Sequence, residues 1–261
     1  MEIVNSPDGT PIAFSRGGSG QPLILVHGSG AANAAAWTAF PALKEHFNVV
    51  VVDRSGRGES GDHPAYAIQH EYQDIAAVAD AMGEPANLLG HSFGGLCALE
   101  AALLTRNIRK LILYEPAMPF PGQPIYPAGV IDRMQARLDA GDREGVLTIL
   151  YLEVARMSPD EFEQFRSSPA WPARVASAHT VTREARAEEG YTFDALRFKD
   201  LRITTLLLTG EDSPTHLLQA SQSLASALPV CRTAVMPGQE HIAMYTAPEL
   251  FVREVVDFLR E

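Results

Sequence analysis

Disulfide chemistry is the first thing this sequence leaves out. Only two cysteines occur in 261 residues, with no CxxC pair and no Cys/His ligand spacing, which excludes a disulfide scaffold and a cysteine-bound metal. Positive charge is also in deficit: 21 Lys and Arg stand against 32 Asp and Glu, a formal net charge of −11. Such a chain has no surplus of cations for nucleic-acid phosphates or an anionic membrane surface, so neither is an expected partner. No run approaches about 18 consecutive apolar residues, so no membrane-spanning helix is expected. The first nine residues carry Glu2 and Asp8 and lack the basic patch and apolar run of a secretory leader. A cytoplasmic setting is the expectation these absences leave. What remains is ample: 46% hydrophobic residues at a mean hydropathy of −0.04. That is enough for one large α/β domain, or one domain carrying an insertion.

The first third reads as strands divided by glycine turns. Asp8-Gly9 separates two short strand-like segments as a hairpin turn would. Leu23-Ile24-Leu25-Val26 and Val49-Val50-Val51-Val52 lack polar alternation, as expected for strands buried on both faces of a parallel sheet. Helical patterns at residues 33–46, 69–82 and 93–104 alternate with strands at 87–89 and 110–114. The βαβ rhythm stops after Pro116, where Pro119, Pro121, Pro124 and Pro127 oppose helix initiation. From about residue 130 to 198 the text is helical and more charged, with a capping box and first-turn proline in Ser158-Pro159-Asp160-Glu161. The rhythm returns with strands at 204–208 and 231–236, a helix near 217–228 and a final helix begun by a second capping box, Thr246-Ala247-Pro248-Glu249.

Gly90-His91-Ser92-Phe93-Gly94 has the form GxSxG and falls between a predicted strand and a predicted helix. A sharp turn there exposes the Ser92 hydroxyl at a helix N-terminus, where N–H groups and the macrodipole favour developing negative charge. A serine nucleophile needs a base, and the base an orienting acid. His241 lies in the loop between the last predicted strand and the last helix, on the same carboxyl edge of the sheet as Ser92. The other seven histidines lack that placement or, like His91 beside the serine, suit packing. Two acids follow predicted strands. Asp212 in Gly210-Glu211-Asp212 is preferred to Glu115 on chain order and loop type; it could equally cap the next helix. For the oxyanion, the N–H groups of Phe93 and of Ser29, in His27-Gly28-Ser29-Gly30, are the natural donors. A competing nucleotide-binding reading takes Gly28 to Asn33 as a near-GxGxxG with Asp53 as a ribose ligand, but it leaves Ser92, Asp212 and His241 without a role.

Together these residues resemble the α/β-hydrolase family. The motifs Val26-His27-Gly28, Asp53-Arg54-Ser55-Gly56-Arg57-Gly58-Glu59-Ser60, Gly90 to Gly95, Gly210 to Asp212 and Gly238 to His241 span essentially the whole chain. They keep the family order of nucleophile, acid, histidine. The resemblance implies an α/β fold: a mostly parallel α/β-hydrolase sheet flanked by helices, with a helical cap inserted after the sixth strand. Its core would be residues 1–117 and 200–261 and its cap, or lid, 118–199. It further implies that 53–60 is a structural turn near the active-site edge and that Asp212 is the usual acid, although some members use the position of Glu115. Ser92 stands where dehalogenases and soluble epoxide hydrolases carry an aspartate, which turns the reading away from those chemistries. The expected function is a serine hydrolase cleaving carboxylic esters of small to medium apolar substrates through an acyl-enzyme on Ser92. Trp171 of the cap is the candidate for shaping substrate, and no metal or organic cofactor is required. Lactone or C–C hydrolysis, cyanohydrin cleavage, perhydrolysis and a non-turnover receptor on the same fold stay open, as does the oligomeric state.

Overall fold

The computed structural model describes residues 1–32, 37, 40–119 and 124–261. β1 (Glu2–Asn5) and β2 (Pro11–Gly17) form an antiparallel hairpin, and β2 runs antiparallel to β4 (Asn48–Val52). Beyond β4 the strands β3 (Pro22–Val26), β5 (Ala86–His91), β6 (Ile108–Tyr114), β7 (Thr204–Gly210) and β8 (Cys231–Met236) all pair in parallel. The sheet order is β1-β2-β4-β3-β5-β6-β7-β8.

Strand periodicity assigns the core. Successive side chains point to opposite faces. Ile24, Val26, Val50, Val52 and Leu88 therefore pack on one side, against α2 (Ile68–Asp80) and α3 (Phe93–Ala101). Leu23, Leu25, Val49, Val51 and Leu89 pack on the other, where Phe251, Val255 and Phe258 of α11 (Pro248–Arg260) meet them. A strand sandwiched by helices is apolar at every position, which is why the valine run of β4 shows no alternation.

Between β6 and β7 stand α4 (Val130–Asp139), α5 (Arg143–Ile149), a π-helical turn (Leu150–Val154), α6 (Pro159–Arg166), α7 (Trp171–Ala176) and α8 (His179–Glu189). They share a separate apolar cluster built around Val130, Met134, Leu147, Phe162, Trp171 and Val181. After β7 come α9 (Thr215–Ala227), then β8 and the short α10 (Ala243–Thr246) before α11.

Two local expectations change. The capping box at Ser158 forms, with Ser158 N–H donating to Glu161 Oε2 at 2.9 Å and Glu161 N–H to Ser158 Oγ at 3.3 Å. The one at Thr246 does not. Thr246 already closes α10 and spends its hydroxyl on Gln239 Oε1 at 2.7 Å, so Ala247 caps α11 without a side-chain bond. The helix expected over 33–46 falls partly outside the described residues; within them α1 spans Phe40–Leu43. Pro121 and Asn33 also lie outside them. Among the described residues no helix is long and apolar enough to cross a membrane.

Candidate active site

The strand-to-helix turn after β5 is strained where the motif places it. Ser92 has φ 55° and ψ −126°, a backbone conformation that a non-glycine residue rarely adopts. Its flanks must be glycine: a Cβ on Gly90 would lie 2.4 Å from the Gly94 carbonyl oxygen, and one on Gly94 would lie 2.4 Å from that of His27. Bonds at both ends hold the turn. Ser92 N–H donates to Tyr114 O at 3.0 Å, and Ser92 O accepts from Gly95, Leu96 and Ala117 N–H. Phe93 opens α3, at the end where N–H groups lack intrahelical acceptors.

His241 reaches the same edge from the loop between β8 and α10, and its partner differs from the sequence expectation. His241 Nδ1 is 2.6 Å from Glu115 Oε2, and the carboxylate's other oxygen accepts Gly210 N–H at 2.7 Å. Asp212, the preferred acid, is exposed; its N–H donates to Gln239 O at 2.9 Å, and its carboxylate makes no bond to His241. The reason is reach. Glu115 ends the central strand β6 with φ 43°, a twist that turns its fully buried side chain along the sheet edge toward the histidine loop. Asp212 follows β7, the neighbour of β8, yet it sits on a tight turn that leaves its side chain exposed to solvent. With Nδ1 engaged, His241 keeps Nε2 for the cavity, where it and Ser92 are both wall residues.

The neighbours of His241 fix it further. His91, expected to pack, does so against His241: its Nε2 is 2.8 Å from His241 O and the two rings lie 4.5 Å apart. Burial, and next the nearby His241, hold the His91 imidazole well below its ordinary pKa, so it stays neutral. Tyr114 Oη donates to Glu240 O and accepts Ala243 N–H at 3.0 Å, gripping the histidine loop from both sides.

Beneath Ser29 lies a buried ionic cluster that the sequence did not single out. Arg54 pairs with Glu71 through two bonds of 3.0 and 2.8 Å and with Glu184 at 2.8 Å, and Arg57 meets Glu184 at 2.6 Å. Burial opposes ionisation of Glu184, but Arg54 and Arg57 outweigh it and hold the carboxyl below its usual range. The two arginines of residues 53–60 were a signal; their acids, on α2 and α8, are too distant in sequence to be paired by eye. Asp53, the ribose ligand of the nucleotide reading, instead closes this turn by accepting Glu59 N–H at 3.1 Å.

Ser92 and His241 border a cavity of about 300 Å³ between the sheet edge and the insertion. Its wall includes Ser29, Trp37, Tyr126, Met157, Arg174 and Leu217. Trp171, the expected substrate contact, is elsewhere: it is buried in the insertion's own core, edge-on to Phe162 at 5.8 Å, with Nε1 donating to Glu144 Oε1 at 3.1 Å. Its indole is spent on holding α5, α6 and α7 together.

Glu188 is an unforeseen wall residue. Tyr126 Oη donates to its Oε2, and its buried Oε1 has no hydrogen-bond partner. Burial raises its pKa more than the tyrosine lowers it, pushing it up to about 8. The folded value thus exceeds the unfolded one of about 4.3, so the stability contributed by the neutral acid is complete at low pH and is lost as pH climbs toward 8. Glu188→Gln keeps the shape without the charge. Its Tm relative to wild type should rise by several degrees between pH 5 and pH 9, on the order of a few kcal/mol. A Tm difference that is the same at both pH values would contradict this assignment.

Among the described residues one other cluster has ligand-bearing side chains. Asp8, His63 and His70 bring three candidate ligand atoms within 4.8 Å of one another. The two imidazoles stack at 4.2 Å and 26°, so their in-plane lone pairs do not converge on one ion. His63 is instead occupied by Asp8 Oδ2 at 2.6 Å and Asp74 Oδ2 at 3.2 Å, tying the β1–β2 turn to α2.

Comparison with known proteins places the fold in a family. The Alpha/beta hydrolase family model matches residues 23–254, and the chain belongs to that family. An alpha/beta hydrolase from Sphaerobacter thermophilus is 35% identical, with a TM-score of 0.86, over 99% of this chain and 100% of that one. A putative carbamate hydrolase RutD from Pseudomonas savastanoi pv. phaseolicola is 28% identical over 90% of this chain and 93% of its own. A 2-hydroxy-6-oxo-2,4-heptadienoate hydrolase from Pseudomonas putida is 26% identical, covering 93% and 90%. These relatives are hydrolases, and they support hydrolase activity for this chain.

Proposed function

We propose that the protein is a serine hydrolase that cleaves carboxylic esters of small to medium substrates through an acyl-enzyme on Ser92. The observation that carries the reading is the bond between His241 Nδ1 and Glu115 Oε2, made on the wall of the cavity that also holds the strained Ser92. Ser92 Oγ attacks the carbonyl carbon while His241 Nε2 takes the hydroxyl proton. Glu115 holds the imidazole in the tautomer that leaves Nε2 free and stabilises the imidazolium that forms. The N–H groups of Ser29 and Phe93 receive the oxyanion. Collapse expels the alkoxide, which takes the proton from His241. Water, deprotonated by His241, then attacks the acyl-enzyme and releases the acid. The insertion serves as the cap that closes over the substrate.

A second reading narrows the substrate to esters or related carbonyl compounds bearing a carboxylate. Arg174, on the cavity wall and only 3% exposed, has no acidic partner among the described residues. It bonds neutral groups alone: Gly30 O, Tyr151 Oη and Tyr245 Oη at 3.0–3.2 Å. A buried cation without a counterion favours an anionic ligand. The heptadienoate named for one relative carries such a group.

Steady-state turnover of p-nitrophenyl acetate, butyrate and hemisuccinate by wild type and Ser92→Ala tests both readings. Turnover lost in Ser92→Ala, with an acyl mass on Ser92 after rapid quench, supports the acyl-enzyme. Equal slow rates in the two proteins would sink it and favour the receptor. A preference for hemisuccinate that Arg174→Met removes selects the anionic substrate.

A further inference from the structure

Each of residues 27–31, which follow β3, is held by a side-chain hydrogen bond. Arg54 Nη1 approaches the carbonyl oxygens of His27 and Gly28 at 3.3 and 3.4 Å, and His27 Nδ1 lies 3.0 Å from Gly28 O. Arg57 Nε donates to Ala31 O at 2.9 Å. Tyr151 Oη and Arg174 Nη1 both donate to Gly30 O, at 2.8 and 3.2 Å. Ser29 Oγ donates to Glu184 Oε2 at 2.7 Å.

Peptide planarity gives these bonds a directional meaning. Fixing a carbonyl oxygen fixes the plane of its peptide, and hence the direction of the next residue's N–H. The grip on Gly28 O therefore aims Ser29 N–H, and the grip on Ser29 Oγ stops the other end of that unit from turning. The loop is close to the nucleophile, since a Cβ on Gly28 would come within 2.9 Å of Ser92 Cβ. Tyr151, Arg174 and Glu184 all stand on the insertion, in the π-helical turn, α7 and α8. Glu184 divides its oxygens: Oε1 takes Arg54 and Arg57, and Oε2 is left for the serine.

We propose that Glu184 is a positioning residue for the acyl-transfer step, holding Ser29 through its hydroxyl so that the seated insertion completes the aim of an oxyanion donor that Arg54 and His27 hold at Gly28 O. The proposal rests on the oxyanion role given to Ser29 above. The insertion then does more than enclose the cavity. It completes the electrostatic part of the site, and a site so completed stabilises the tetrahedral intermediate more than the planar substrate.

Ser29→Ala is the decisive variant, because it removes the hydroxyl while leaving the Arg54–Glu184–Arg57 pairs intact. For p-nitrophenyl butyrate its kcat should fall about tenfold or more with KM within about twofold, since a misaimed donor costs transition-state binding selectively. Affinity for phenylboronic acid, a tetrahedral mimic on Ser92, should weaken in parallel. Ser29→Thr, which keeps the hydroxyl, should restore most of both. Tyr151→Phe should shift the two quantities in the same direction through Gly30. A Ser29→Ala protein with wild-type kcat and boronate affinity overturns the proposal even though hydrolysis stands. Wild-type turnover no faster than that of Ser92→Ala overturns the hydrolase reading, and this proposal falls with it.

Discussion

Glu115→Gln should lower kcat for p-nitrophenyl esters by about 10³–10⁴-fold, while Asp212→Asn stays within about twofold of wild type. The amide keeps the acceptor oxygen that Gly210 N–H uses, so the fold around β6 should survive. What it loses is the charge facing His241 Nδ1 at 2.6 Å. A neutral amide can present an N–H to the imidazole, selecting the tautomer whose Nε2 carries the proton and cannot accept one from Ser92. It also cannot stabilise the imidazolium formed during attack. Asp212 is exposed and contributes its backbone to the histidine loop, so its carboxylate has no comparable task. The reverse outcome, activity kept in Glu115→Gln and lost in Asp212→Asn, would mean that His241 is oriented differently during turnover.

The acid shows where the sequence stops being legible. Apolar runs, glycine turns and the GxSxG setting depend on neighbours a few residues apart, and β3 to β6 with the elbow could be read from them. Both acids satisfy the order of nucleophile, acid and histidine, and both follow a strand. The choice between them depends on a positive φ at Glu115, which has no local signature; sheet order alone would favour Asp212, because β7 and not β6 borders the β8 that leads to the histidine loop. Trp171 fails for a related reason. The amphipathic pattern of the insertion says that an indole is buried, but not whether it faces the insertion's own core or the cavity. The Arg54–Glu71–Glu184 cluster is harder still, because its members are 17 and 130 residues apart.

Arg54→Met should destabilise the protein by roughly 3–5 kcal/mol at pH 7. Arg54 is 1% exposed, and its removal strands Glu71 and leaves Glu184 with Arg57 alone. It also takes the guanidinium from over the Phe93 ring, 4.6 Å away. Urea unfolding at pH 7 and pH 4 provides the check. Glu184 has a depressed folded pKa, so the stability it supplies is present above the unfolded carboxylate value and fades as pH falls below it. The penalty of the variant should therefore be smaller at pH 4, where the stability that Glu184 supplies is already fading in the wild type. Arg54→Met/Glu71→Leu should recover part of the loss at pH 7, because it removes a buried charge together with its counterion. A variant with wild-type urea midpoint and m-value at pH 7 would show that water or rearrangement already compensates the site.

Moving the acid to the end of β6 also redistributes freedom along the sheet edge. The connection from β7 to α9 supports the histidine loop through the Asp212 N–H, which donates to Gln239 O, and the Glu211 carboxylate, which accepts Gly238 N–H at 2.9 Å, while Pro214, His216 and Leu217 face the cavity. Residues 210–212 are tied to Glu115 and to the histidine loop, so the freedom lies at His216 and Leu217, whose side chains line the cavity without bonding His241 or Glu115. Selection for a new substrate could act there first, with Ser92, Glu115 and His241 untouched. A library confined to His216 and Leu217 would explore pocket shape separately from chemistry.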